Sequence, residues 1–110
     1  MNLENLVIEV APSIKSDHKV NELVEKSSDI LESVVRRTHV ETKAAWDIES
    51  YNGNNLRITL RLSDYTGSVS ASFTEAQLHD PSELRSRLRR LWAALLRIRS
   101  HVQLETLLNI

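Results

Sequence analysis

No cysteine occurs anywhere in the 110 residues. A disulfide framework, a thiolate metal site and a cysteine nucleophile are excluded together. Glycine occurs only twice, at Gly53 and Gly67, within stretches that read as turns, NGNN and DYTG. No glycine-rich loop is left to cradle a phosphate, and no G-x-S-x-G motif is present. No apolar run approaches the ~20 residues of a membrane span. The opening MNLENLVIEV lacks the basic region and apolar block of a signal peptide, so a cytoplasmic protein with no membrane partner is expected. The formal net charge of −1 argues against a general affinity for nucleic acid or anionic membranes.

What is present is ordinary globular material. Hydrophobic residues make up 41% and charged residues 26% of the chain, enough for one core and one domain over residues 1–110. The charge is nonetheless polarised. Residues 80–110 hold six arginines against Asp80, Glu83 and Glu105, whereas residues 1–79 hold eight basic and twelve acidic side chains. A basic face can therefore exist on a nearly neutral molecule.

The strongest local pattern runs from Asp80 to Val102. Asp80 is a candidate N-cap, Pro81 suits the first helical position, and Glu83 stands where a carboxylate can return to the cap. Leu84, Leu88, Leu91, Leu95, Ile98 and Val102 then recur at steps of four and three, which places them on one stripe of a long helix. An earlier amphipathic helix is predicted from a cap at Ser16 or Asp17 to about Arg37. One arc carries Val20, Leu23, Val24, Ser27, Ile30, Leu31, Val34 and Val35, the other Glu22, Glu25, Asp29 and Glu32. Residues 5–10, NLVIEV, suit a strand broken by Pro12. Thr74 and Gln77 form a capping pattern of their own and predict one helical turn before the long helix.

Between the helices the period changes to two. Ala44, Trp46 and Ile48, then Leu56, Ile58, Leu60 and Leu62, then Val69, Ala71 and Phe73 alternate with polar residues, giving strands with one apolar face each. Parity fixes how they pair, because facing residues point to the same side of a sheet. A two-residue loop at Gly53-Asn54 would set Ile48 against Thr59 and bury the wrong face. A three-residue loop, Asn52 to Asn54, pairs Trp46 with Leu60 and Ile48 with Ile58, with Glu49 facing Arg57. A tip at Tyr65-Thr66 pairs Leu62 with Val69 and Leu60 with Ala71. The expected fold is α+β, in the order β-α-β-β-β-α, an antiparallel sheet with both helices on one face.

That order of elements resembles the double-stranded-RNA-binding-domain-like folds, among them the ribosome hibernation factors. The likeness is one of architecture. The basic sequence with which double-stranded-RNA binders begin the last helix is replaced by Ser82-Glu83-Leu84-Arg85, so no functional residue is carried over.

Candidate binding residues follow from the last helix. Arg87, Arg90 and Arg97 share a stripe beside the leucines and could grip phosphates. They equally suit a solvated face, or a partner surface for the acidic first helix. Trp92 and Leu96 lie on the other flank, either filling the seam between the helices or anchoring a partner. If the helix continued past Val102, Leu104, Leu107 and Leu108 would emerge away from the leucine stripe. Either the helix breaks near His101 and the tail folds back, or those leucines meet a second chain.

The chemistry of an enzyme finds no support. His18, His39, His79 and His101 show no i, i+4 pairing, so neither a metal nor a cofactor is expected. Asp47 and Glu49 share a strand with Arg57 and Arg61 opposite, a pattern for cross-strand ion pairs. The expected function is a non-catalytic protein-interaction module that forms a homodimer, or docks on another protein, through the C-terminal helix and tail. The alternative is an RNA- or ribosome-associated protein that uses the arginine stripe.

Overall fold

The computed structural model describes residues 5–36 and 38–109. Its elements are β1 (Leu6–Val10), α1 (Pro12–Lys15), α2 (His18–Val34), β2 (Thr42–Asn52), β3 (Asn55–Asp64), β4 (Gly67–Thr74), α3 (Glu75–Leu78) and α4 (Pro81–Leu108). The four strands form one sheet in the order β1-β2-β3-β4. The α+β class is as expected. The sheet, however, is mixed rather than antiparallel: β1 pairs with β2 in parallel, from Leu6↔Thr42 to Val10↔Trp46. The reason is the connection. A chain that leaves β1, runs through a helix and comes back beside it makes a crossover, and a crossover joins parallel strands.

The helices begin where their caps dictate. Asp17 accepts from the N–H of Val20 at 3.2 Å, and Asp80 from that of Glu83 at 3.2 Å. Thr74 and Gln77 exchange both capping bonds at α3. At α4 the second half of the expected capping pair is missing. The N–H of Asp80 already donates to Gln77 O at 3.3 Å, and the Glu83 carboxylate turns to Arg87 instead. α2 stops at Val34, and Arg37, expected near its end, lies outside the described residues.

The β2–β3 hairpin reconciles two alternatives that parity set against each other. Its turn is the two-residue Gly53-Asn54, flanked by Asn52↔Asn55, not the three-residue loop expected from parity. Gly53 has φ +58°, a conformation glycine adopts without a Cβ penalty. Yet Trp46 pairs with Leu60 and Ile48 with Ile58, as expected. A β-bulge between Ile48 and Ser50 supplies the missing residue. Glu49 is the extra residue, and its carboxylate lies 3.6 Å from Arg57 Nε. The β3–β4 hairpin turns at Tyr65-Thr66, with Leu62↔Val69 and Leu60↔Ala71.

The core lies between one face of the sheet and the two long helices. Trp46, Ile58, Leu60, Leu62 and Phe73 are buried from the sheet side, and Leu84, Leu88, Leu91 and Leu95 from α4. Val20, Leu23, Val24 and Leu31 close it from α2. Ile48 and Ala71 are only partly buried. The other sheet face is polar and open, with Lys43, Arg57 and Arg61 exposed.

Candidate interaction surface

α4 is 28 residues long, about 42 Å at the helical rise. Buried and half-buried positions recur along it as far as Val102, and its last turns run on past the body exposed. The helix does not break near His101; it continues to Leu108, so the tail does not fold back. Leu104, Leu107 and Leu108 stand 55%, 66% and 74% exposed. Their spacing of three and four puts them on adjoining positions of one helix face, the face away from the core stripe. Tyr65, 68% exposed at the tip of the β3–β4 hairpin, reaches the same end of α4. Its hydroxyl accepts a hydrogen bond from Gln103 Nε2 at 3.1 Å.

This end of α4 is fixed to the body by a buried polar cluster that sequence reading passed over. Arg99 is 8% exposed. Its Nε donates to Asp64 Oδ2 at 2.8 Å and its Nη2 to Thr42 Oγ1 at 3.2 Å. The guanidinium lies 5.3 Å from the centre of the Trp92 ring, within cation–π range. Asp64 Oδ1 also accepts from the N–H of Thr66 at 2.7 Å and from the Thr66 hydroxyl. Burial pushes the Asp64 carboxyl up, but the hydrogen bonds from Thr66 and the charge of Arg99 outweigh it and hold it below its ordinary value. In the sequence, Asp64 is one turn residue among several and Arg99 one of six arginines on the last helix. The only available hint is helical position: Arg99 falls between the leucine stripe and Trp92.

The remaining candidates are placed as follows. Trp92 is half-buried against the core beneath Arg99, and Leu96 is half-buried further along the same flank. Arg85, also on that flank, reaches Ser33 of α2 at 2.7 Å. Arg87 lies 3.1 Å from Glu83. Arg90 donates to Ser86 at 3.3 Å, and Arg97 is exposed. Neither Arg90 nor Arg97 meets a carboxylate among the described residues. Across the open sheet face, Glu49 holds Arg57 and accepts from Ser72 at 3.0 Å. Asp47 and Glu49 therefore do not converge on a common site. Among the described residues no group of three or more histidines and carboxylates gathers as metal ligands would. No helix among them is long and apolar enough to cross a membrane.

Fold and surface together define a small mixed-sheet α+β domain whose last helix ends in exposed leucines. No protein-family model matches the chain, and no curated protein matches it. Among solved structures it is similar to the N-terminal domain of Thermus thermophilus Protein Y, with a TM-score of 0.46 and 19% identity. That match covers 82% of this chain and 98% of the other. At this level the likeness carries no functional weight.

Proposed function

We propose that the chain is a non-catalytic protein-interaction module that self-associates through the end of α4. The observation that supports this reading is the gathering of Tyr65, Leu104, Leu107 and Leu108 at one end of the molecule, all more than half exposed. Scattered apolar side chains are normal on a surface, but a contiguous group marks a contact. A second copy meeting this end across a two-fold axis brings the same patch against itself, as a closed symmetric contact requires. Glu22, Glu25, Asp29 and Glu32 of α2 are exposed, as are Arg89, Arg90 and Arg97 of α4, so the two copies carry complementary surfaces. Such exposed pairs contribute only ~0–1 kcal/mol each and orient the contact more than they tighten it. The leucines supply the affinity.

Light scattering on the purified chain tests this. A dimer is expected, and replacing Leu104, Leu107 and Leu108 together by serine should give a monomer with an unchanged circular dichroism spectrum. A chain that is monomeric at high concentration overturns the reading. The second reading, phosphate binding by the arginine stripe, is favoured by the exposed Arg90 and Arg97 without carboxylate partners. It predicts co-purifying RNA that salt removes, because phosphate contacts weaken steeply with ionic strength.

A further inference from the structure

The β3–β4 hairpin is tied to α4 at several successive points. At its foot, Ile98 Cγ2 stands 3.2 Å from where a Cβ on Gly67 would be, so helix and strand meet with little room for a side chain between them. At its mouth, the carboxylate of Asp64 works in two directions. Oδ2 takes Arg99, and Oδ1 takes both the N–H and the hydroxyl of Thr66. An aspartate that accepts from the residue two positions on fixes the shape of a turn. At the tip, Tyr65 accepts from Gln103, about one helical turn beyond Arg99. Successive turns of the helix thus grip a tip made only of Tyr65 and Thr66.

The outcome is an aromatic side chain that is 68% exposed and yet held in place. Ordering an exposed side chain at the moment of binding costs affinity; here the chain has ordered it beforehand. With its hydroxyl taken by Gln103, Tyr65 offers a partner its apolar ring rather than its polar end. Its place is also set relative to the leucines. Arg99, Gln103 and Leu107 follow at intervals of four along one flank of α4, and positions four apart are neighbours on a helix surface. The tie at Gln103 therefore lies one turn short of Leu107, which in turn neighbours Leu104, three positions back.

We propose that Asp64 and Arg99 are positioning residues for self-association. Through the hairpin tip they hold Tyr65 as a pre-set anchor beside Leu107, and the contact between two copies is made by hairpin and helix together. The inference rests on the self-association proposed above and deepens it by adding a second element to the contact. Tyrosine is enriched among the few residues that carry most of the binding energy of a protein contact. Asp64 and Arg99 are themselves buried, so they act through Tyr65 and do not touch the partner.

Sedimentation velocity over a dilution series of the full chain gives the dissociation constant, and urea melts at low concentration give the stability of the protomer. Tyr65→Ala should weaken association about tenfold or more and leave the melt of the protomer nearly unchanged. Gln103→Ala and Thr66→Ala, each of which cuts a tie at the tip, should weaken it several-fold, as should Arg99→Met. The deciding measurement combines each change with Tyr65→Ala. Once the ring is gone its holders have nothing left to position, so none of them should cost association anything further in that background. Losses that are equal with and without the ring overturn the proposal and leave the clasp a matter of protomer stability alone. If Arg99→Met fails to fold, Thr66→Ala tests the link from Asp64 to the tip by the same comparison. A dimer that serine at Leu104, Leu107 and Leu108 dissociates but Tyr65→Ala leaves intact overturns this proposal and not self-association. A parent chain that is monomeric at high concentration overturns both.

Discussion

Arg99 Nε donates to Asp64 Oδ2 at 2.8 Å, across 35 positions of sequence, with the carboxylate side chain fully buried. One bond thereby fixes the last helix to the mouth of the β3–β4 hairpin, and Thr42 and Trp92 complete the surroundings of the guanidinium. Removing one partner of such a pair leaves the other charge buried and unpaired, which costs ~3–5 kcal/mol. Arg99→Ala should lose about that much in urea unfolding. The double variant with Asp64→Ala should lose much less than the sum of the single variants. A loss below about 1 kcal/mol for Arg99→Ala, the scale of an exposed pair, would contradict the burial of the cluster.

The same pair makes stability depend on acid. The carboxyl of Asp64 is held below its ordinary value of 3.8 in the folded chain. Its contribution is therefore complete above that value, and it is lost as the pH falls through the lower folded-state pKa. Asp64→Asn should be the less stable protein at neutral pH. The gap between the two should narrow in urea titrations carried below pH 3.8. A gap that stays constant through that range would mean that Asp64 gains nothing from Thr66 and Arg99.

The two faces of α4 should respond oppositely to truncation. Leu88 and Leu95 are fully buried, and cutting either to alanine should cost ~2–5 kcal/mol. Leu107, 66% exposed, should change unfolding of the monomer by no more than ~0.5 kcal/mol when replaced. Its effect should appear only as a shift in association measured by light scattering. A fold-destabilising Leu107→Ala at low concentration would place that residue in the core of the protomer.

Most of this fold was legible because its strands are one-sided. The alternation of Leu56, Ile58, Leu60 and Leu62 admits one buried face, and hydrophobic parity then fixes the partners of Trp46 and Ile48. Parity cannot see how the count is made even. It gives the same answer for a longer loop or for a bulge, and the chain uses the bulge. Nor does alternation report direction; the parallel pairing of β1 follows instead from the helix that lies between it and β2 in the chain, an order already visible in the sequence. The exposed leucines were legible as an excess, more apolar helix than one sheet can cover. The clasp that holds that helix was not, since Asp64 and Arg99 meet only through tertiary packing.

The bulge at Glu49 leads to a prediction about length rather than chemistry. Two residues of β2, Glu49 and Ser50, stand where β3 offers only Arg57. Deleting Glu49 closes the ladder. Ser50 keeps Arg57, Ile48 keeps Ile58, and Trp46 keeps Leu60. The loss is confined to the exposed Arg57 ion pair and the Ser72 hydrogen bond, so the deletion variant should fold and melt within about 1 kcal/mol of the parent. Deleting Asp47, two positions away, has no such escape. Preserving Trp46 against Leu60 then forces Ile48 opposite Thr59 and turns Glu49 towards Ile58, a carboxylate aimed into the core. Preserving Ile48 against Ile58 instead turns Trp46, the largest fully buried side chain, to the wet face. The Asp47 deletion should therefore be unfolded or cost several kcal/mol. Equal stability of the two deletions, measured by thermal and urea melts, would show that β2 can slip freely and that hydrophobic parity does not set its register.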